Sequence, residues 1–441
     1  MIGSSIRQVL HSLRHQKLSQ DIAYSLGSFM VLAVSGIVIN ILIMGLRDAA
    51  ALGVFNLSYA VYIISSQFAT WGLHYSVLRH AAFYESDPSE RGHMLMTAAI
   101  CAITMGVVTA GVVALCEPLF ALIFSSDITG SSIRNASLGL VLFPLNKVLI
   151  SYLNGLRRMR AFAILQAVRY CAVMVLVWVV AASPLPIDSF TYCFLLAETV
   201  TMVLCSLYIF RQKLTGELRI TLGWIQRHYA FGTKGLAAGM FAEVNSRVDV
   251  LLIGFFLSDR ATGIYSFAAM LVDGVYHALA MVRINFSPIL VGAVRDNDWS
   301  LAINLRRQSW RILLPVTTVL SVSLVASFYA LNTWLIPSSK GLLEGLPSLV
   351  ILLSGVLLIC FLIPFDQLLM MSGHPGYQTA QQLVLVGTNI LVAVILLPII
   401  GIEGAALGTA ASYVAGILAM IFFVRRLLGW NLINNSISEV R

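Results

Sequence analysis

Lys234–Asp273 reads KGLAAGMFAEVNSRVDVLLIGFFLSDRATGIYSFAAMLVD. Its first half, 234–257, is long and apolar enough to cross a bilayer. It nevertheless carries Glu243, Asn245, Ser246, Arg247 and Asp249 between apolar runs. An Arg or Asp at the centre of a membrane helix costs roughly 2.5–3.5 kcal/mol on insertion scales. Several such residues in one span require a wet cavity or mutual pairing. The second half opens another span with Gly263-Ile264-Tyr265-Ser266, and that phrase has an earlier partner in the chain.

The composition places the stretch in its class. The chain has 441 residues, of which 59% are hydrophobic and 11% charged. A soluble domain carries about 25% charged residues, so the pattern is that of a polytopic membrane protein. The net charge of +8 does not point to nucleic acid, because the basic residues cluster in short segments between apolar runs. About twelve runs reach spanning length: 20–46, 53–78, 93–116, 133–155, 160–182, 188–210, 232–257, 262–287, 310–336, 343–371, 378–400 and 404–426. The fourth and seventh are the least hydrophobic. The six cysteines fall in or beside spans with no CxxC or Cys/His spacing, so the sequence supports neither a disulfide framework nor a zinc site.

The connections alternate in charge. One side holds Arg7, Arg14, Lys17, Arg79, Arg91, Arg157, Arg158, Arg160, Arg211, Lys213, Arg219, Arg227, Arg295, Arg306, Arg307, Arg311, Arg425, Arg426 and Arg441; the other holds only Arg47, Arg134, Arg260 and Lys340. The positive-inside rule then puts both termini in the cytoplasm. The resulting division is an amphipathic cytoplasmic N-terminus (1–18), a six-helix lobe (19–213), a cytoplasmic linker (214–231), a second six-helix lobe (232–427) and a cytoplasmic tail (428–441).

Corresponding phrases sit at corresponding spans of the two halves. Leu46-Arg47-Asp48 before Gly53-Val54-Phe55-Asn56 matches Leu257-Ser258-Asp259-Arg260 before Gly263-Ile264-Tyr265-Ser266. Phe143-Pro144-Leu145-Asn146 in the fourth span matches Ile363-Pro364-Phe365-Asp366 in the tenth. Ile209-Phe210-Arg211 matches Phe423-Val424-Arg425. Both halves enter from the same side, as parallel repeats do. In the last span Gly404, Gly408, Ser412 and Gly416 recur every four residues, a small-residue seam for close helix approach.

Asp249-Val250-Leu251-Leu252-Ile253-Gly254, followed by Gly263-Ile264-Tyr265-Ser266, resembles the start of the second half in bacterial polysaccharide-repeat flippases of the Wzx type. Gly401-Ile402-Glu403-Gly404-Ala405-Ala406-Leu407-Gly408-Thr409 is similar to the turn into the last span across the larger MOP superfamily, which includes the MATE antiporters and the lipid II flippase. The resemblance implies an all-α polytopic membrane protein, two six-helix bundles around a central cavity, working by alternating access. It implies a flippase in the bacterial inner membrane that moves an undecaprenyl-diphosphate-linked oligosaccharide to the periplasmic leaflet. The cargo would serve O-antigen, capsule or exopolysaccharide synthesis, with that pathway's polymerase and chain-length regulator as neighbours.

Such cargo asks for cations to hold a diphosphate, and Arg suits phosphate because its fork binds two oxygens. The substrate-binding candidates are Arg169, Arg247 and Lys147, then Arg283 and Lys234. The coupling or gating candidates are Asp366, Asp273, Asp249, Glu198 and Glu243. No cofactor is called for; a H+ or Na+ gradient is the drive these acids would serve. Plainer readings stand beside these. Glu243 and Arg247 have the i, i+4 spacing of a helical pair, and Lys234 and Arg283 have the reach to snorkel to the surface. Arg169 and Glu198 have the depth to neutralise each other. His277 reads as an interior histidine. Trp71, Tyr75, Tyr265 and Tyr276 could stack on sugars or simply pack. No GxxxxGK[ST], HExxH or GxSxG motif occurs. An organic-cation antiporter of the MATE kind is the alternative, and a membrane polymerase or ligase a more distant one because the outer loops are short.

Overall fold

A computed structural model describes residues 24, 27–295, 299–337 and 340–437. The amphipathic N-terminal segment expected over 1–18 lies outside them. In chain order the helices are α1 (Gly27–Leu46), α2 (Ala49–Thr70), α3 (Leu73–Phe83), α4 (Pro88–Leu115), α5 (Glu117–Ile123), α6 (Asp127–Ser137), α7 (Phe143–Gly155), α8 (Met159–Ala182), α9 (Tyr192–Arg211), α10 (Leu222–Asn245), α11 (Val248–Phe256), α12 (Asp259–Arg295), α13 (Trp299–Trp334), α14 (Leu346–Ile359), α15 (Leu368–Met371), α16 (Pro375–Ile400) and α17 (Ile402–Leu428). One hairpin follows, β1 (Trp430–Asn431) with β2 (Ser436–Ile437). Helices dominate because a bilayer offers no water to the backbone, so each segment must satisfy its own N–H and C=O groups.

Among the described residues, 10 helices are long and apolar enough to span a membrane, or 11 if the bent fourth span counts once. About twelve were expected, and the two least hydrophobic runs account for the difference. The fourth is α6, a 3-10 turn (Leu138–Val141) and α7, bent by 41°. The seventh is broken between Asn245 and Val248, leaving α10 and the short α11. Both breaks have local causes. Pro144 lacks an N–H and its ring excludes a continuous helix behind it. At 245–249 the polar run Asn-Ser-Arg interrupts the apolar segment.

Contacts divide the chain into two compact units. One holds the described residues up to Arg47 and Val54–Ser246; the other holds Asp48–Gly53 and the described residues from Arg247 on. Helix α10, which sequence reading assigns to the second half, therefore packs with the first unit.

In the first unit the connection after α9 is a strap rather than a free linker. Tyr152 donates its hydroxyl to the Leu214 carbonyl at 2.7 Å. The Gly216 N–H donates to the Pro88 carbonyl at 2.7 Å, and the buried Trp224 indole donates to Glu90 Oε1 at 3.0 Å. The α4 helix beneath is capped by Asp87, which accepts from the Ser89 and Glu90 amides. His228, on α10, is fully buried there. Its Nε2 donates to the Met94 carbonyl at 3.1 Å, and Ser76 Oγ lies 2.9 Å from Nδ1. His80 on α3 is its titratable neighbour, and Arg79 and Arg227 act in turn on His80. Burial pushes the His228 imidazole down to about 4, opposed by its bond to Met94. The unfolded chain takes up that proton near its ordinary value of about 6.5. Stability is thus fully present above pH 6.5 and is lost as pH falls towards 4. A thermal midpoint that drops over this window is expected, with His228→Gln blunting the drop; an unchanged drop in that variant removes His228 as its source.

In the second unit the seam of α17 lies against α16. A methyl at Gly404 would sit 2.6 Å from the Leu396 carbonyl carbon, and one at Gly408 3.0 Å from the Asn389 oxygen. The first turn of α2 joins this unit at a closer crossing. A Cβ on Gly53 would fall 2.6 Å from the Asp259 carbonyl carbon, and one on Gly263 2.8 Å from the Gly53 nitrogen. These are the two glycines that lead the matched phrases.

Candidate functional site

The proline break of the fourth span delivers Asn146 and Lys147 to the interior of the first unit. Asn146 is 1% exposed, and its Nδ2 donates to Glu198 Oε2 at 2.7 Å and to the Glu198 carbonyl at 2.7 Å. Arg169 of α8 forms an ion pair with Glu198 of α9. Tyr62 of α2 reaches the same carboxylate at 3.4 Å. Two cations lie against the Phe143 ring: Arg169 is 4.7 Å from its centre and Lys147 5.6 Å. Such contacts contribute about 0.5–2 kcal/mol each and hold the cations in place.

The charges of this cluster are not matched evenly. Glu198 is committed to Arg169. Lys147 has no carboxylate at ion-pair distance among the described residues; Glu243 and Glu198 act on it only from farther off. His74 lies within its electrostatic reach. Lys147 is therefore a cation of this cluster that no carboxylate among the described residues engages at ion-pair distance. Nearby, Trp71 and Gly72 take left-handed backbone (φ 44° and 68°) between α2 and α3. Gly232 of α10 packs against this break, and Trp71 donates its indole N–H to Thr233 at 3.0 Å. Tyr75 is 42% exposed. On α1, α8 and α9 a groove lined mainly by apolar side chains, among them Val31, Val168, Val175, Leu196 and Val200, presents no charged group to a phosphate; its Thr199 hydroxyl is spent on the Leu195 carbonyl.

The second unit has its own polar cluster, again at a proline break. A 3-10 turn, Ile363–Phe365, follows α14 and presents Asp366. Arg283 of α12 pairs with Asp366 at 3.1 Å, and Gln381 of α16 donates to its other oxygen at 2.8 Å. Arg283, expected to snorkel outwards, is thus held inside by a carboxylate. Tyr276 stacks on Tyr413 with ring centres 5.6 Å apart. Asp249 accepts the Tyr265 hydroxyl at 2.7 Å and the Val250 amide at 2.9 Å; Thr409 lies 3.4 Å from the same hydroxyl. Asp273 is exposed, with Arg247 and Asp249 as its charged neighbours.

The structure thus gathers Arg169, Lys147, Glu198 and Glu243 in the first unit, and Arg283, Asp366, Asp249, Asp273 and Arg247 in the second. The side chain of Lys234 lies outside the described residues. Glu243 and Arg247 do not share a helical face, because α10 ends at Asn245 and Arg247 precedes α11. His277, expected as an interior histidine, is exposed. Asn146, Tyr62, Thr409 and Gln381 were not singled out from sequence. Asn146 had a signal: it stands two residues after Pro144, as Asp366 stands two after Pro364.

Comparison with known proteins agrees with this architecture. No curated protein matches the chain by sequence. Among solved structures, an inward-facing multidrug resistance MATE family transporter of the MOP superfamily superposes with a TM-score of 0.72 at 12% identity, covering 93% of this chain and 99% of that one. The lipid II flippase MurJ, in an inward closed conformation, gives 0.72 at 13% identity over 92% of this chain and 87% of its own. A MOP superfamily transporter from Pyrococcus furiosus gives 0.58 at 14% identity, covering 94% and 95%. At these identities the likeness is one of fold, that of a MOP-superfamily transporter. Residues 46–338 match the family model described as polysaccharide biosynthesis protein; the chain belongs to that family.

Proposed function

We propose that the protein is a flippase that carries a polyprenyl-diphosphate-linked oligosaccharide from the cytoplasmic to the periplasmic leaflet of a bacterial inner membrane, by alternating access, for surface polysaccharide synthesis. The observation that carries this reading is Lys147: a cation at a helix break inside a membrane unit, with no carboxylate at ion-pair distance among the described residues. An intramembrane charge is costly, and one left available marks a ligand path. A diphosphate supplies the missing anion. Arg169, though paired with Glu198, keeps further guanidinium donors for it. Trp71 and Tyr75 offer faces on which sugar rings stack. Asp366 and Asp273 are the groups proposed to take up H+ or Na+ during the cycle.

The test is leaflet exchange of a labelled polyprenyl-diphosphate sugar in reconstituted vesicles. Lys147→Ala is expected to slow exchange on the order of tenfold to a hundredfold, the worth of one charge-assisted contact of about 1.5–3 kcal/mol. Lys147→Arg should retain most of it. Wild-type vesicles that show no acceleration over empty ones sink the flippase reading. One observation favours a second reading. Asp249, Asp273 and Asp366 all lie in the second unit, and Asp273 is exposed with no cation at ion-pair distance among the described residues, the kind of acid an organic-cation antiporter requires. Raised drug resistance on expression, without leaflet exchange, would favour it.

A further inference from the structure

The chain beyond α17 was expected to be a plain tail. It is a folded hairpin instead. Gly429 ends the helix in the left-handed region (φ 67°), and Trp430 pairs with Ile437 and Asn431 with Ser436. Asn431 Oδ1 accepts the Ile433 and Asn434 amides across the turn. Asn435 fastens the turn to α13, donating to the Ile303 carbonyl at 2.8 Å.

Two side chains join this hairpin to the break that carries Asp366. Trp430 is fully buried. Its ring centre lies 5.7 Å from Phe365, edge-on, and Phe365 in turn meets Phe286 at 6.1 Å. Phe365 is the residue immediately before Asp366. The second side chain is Arg306 of α13, 7% exposed. Its Nε donates to the carbonyl of the buried Leu432 at 3.0 Å. Its guanidinium lies 4.7 Å from the Phe361 ring and 5.7 Å from Trp310. Phe361 belongs to the short segment between α14 and the 3-10 turn. The hairpin thus meets the broken tenth span directly at Phe365, through Trp430, and at Phe361 through Arg306, which it holds by the Leu432 carbonyl. The break keeps short-range turn bonds (Leu362 N–H to Ile359, Phe365 to Leu362, Asp366 to Ile363) in place of a continuous helical ladder, so its position depends also on what packs around it.

We infer that the C-terminal hairpin is a clamp, with Trp430 and Arg306 as positioning residues that hold the Phe361–Asp366 break so that Asp366 meets Arg283 and Gln381. Its importance for transport rests on the proposed role of Asp366 in the flippase cycle; its existence does not. In the first unit the connection after α9 is held in a comparable way: Leu214, buried, gives its carbonyl to Tyr152, and Trp224 at the start of α10 is buried beyond it.

Cys360 is a native reporter. It sits at the end of α14, fully buried, one residue before Phe361. In purified protein, N-ethylmaleimide labelling of each cysteine is followed by mass spectrometry for wild type, Trp430→Ala, Trp430→Phe, a chain stopped after Gly429, and Ile433→Ser as a control on the exposed turn. Trp430→Ala and the shortened chain are expected to label Cys360 about tenfold faster, a local opening made easier by about 1.4 kcal/mol. Buried Cys101, Cys193 and Cys205 of the first unit should stay protected. Trp430→Phe should restore protection, and Ile433→Ser should not disturb it. Unchanged Cys360 labelling in Trp430→Ala overturns the clamp whether or not any cargo moves. Simultaneous exposure of all four cysteines also overturns it, since the hairpin would then be a general support. In leaflet exchange, the slowing by Trp430→Ala should vanish in an Asp366→Asn background; simple additivity refutes the positioning of Asp366. If wild type moves no cargo while Cys360 still answers to Trp430, the flippase reading fails and the clamp stands.

Discussion

Glu198→Ala is expected to lower stability by about 3–5 kcal/mol, the cost of removing one partner from a buried ion pair. Glu198 is 1% exposed, and three groups converge on it: Arg169, the Asn146 amide and the Tyr62 hydroxyl. Its loss strands the Arg169 charge and leaves Asn146 Nδ2 with only the Glu198 carbonyl. Glu198→Gln should cost less, because it keeps the Asn146 bond, yet it still leaves Arg169 without a counter-charge. Replacing both charges, Arg169→Met with Glu198→Leu, should recover much of the stability, since an apolar pair avoids the desolvation penalty. That double variant also separates structure from function. A role confined to packing predicts a folded protein that still exchanges lipid-linked sugar; a role in holding the diphosphate predicts a folded protein that does not. Thermal unfolding of the purified variants decides the first part. A loss below about 1 kcal/mol for Glu198→Ala, the range of a surface pair, would show the network to be slack.

Gly263→Val should cost about 3 kcal/mol, at the upper end of overpacking penalties. The reason is what the new Cβ meets. At Gly263 it meets the backbone of Ala49 and Gly53, and at Gly53 the backbone of Asp259 and Gly263. Backbone cannot turn aside as a side chain can. The glycines are mutual, so either substitution forces the first turn of α2 away from α12. Gly387→Ala gives the contrast within one protein. A Cβ there has nothing within 4 Å, and removing glycine from the middle of α16 should stabilise by up to about 1 kcal/mol. Equal effects at Gly263 and Gly387 in parallel melts would refute the crossing as described.

Much of this molecule is legible in one dimension. Apolar runs of spanning length place the helices. The basic residues between them set an expected orientation. Pro144, Pro315, Pro364 and Pro398 are all legible as places where a helix can hinge, because proline lacks an N–H; the chain breaks at Pro144 and Pro364, whereas Pro315 and Pro398 stand inside continuous helices. The Gly404 to Gly416 seam is legible as well: four-residue spacing is a property of the helix itself.

Facing is another matter. In a soluble helix the polar side shows which way is out, but a bilayer is as apolar as a protein core, so hydrophobic periodicity carries little information about which face is buried. Nothing in the sequence around Arg169 shows that it turns towards Glu198 rather than a ligand, and Tyr62 reaches that carboxylate from 136 residues away. The seventh run illustrates a related limit: Glu243 and Arg247 have the spacing of a helical pair, but the polar residues between them end the helix first. The apolar runs follow from the chain alone; the break within the seventh does not. Which charges neutralise one another, and that Lys147 is left without a carboxylate at ion-pair distance among the described residues, follow only once the helices have chosen their rotation against each other. The hairpin belongs with these, because Trp430 and Leu432 look like an ordinary polar-ended tail until Phe365 and Arg306 are there to receive them.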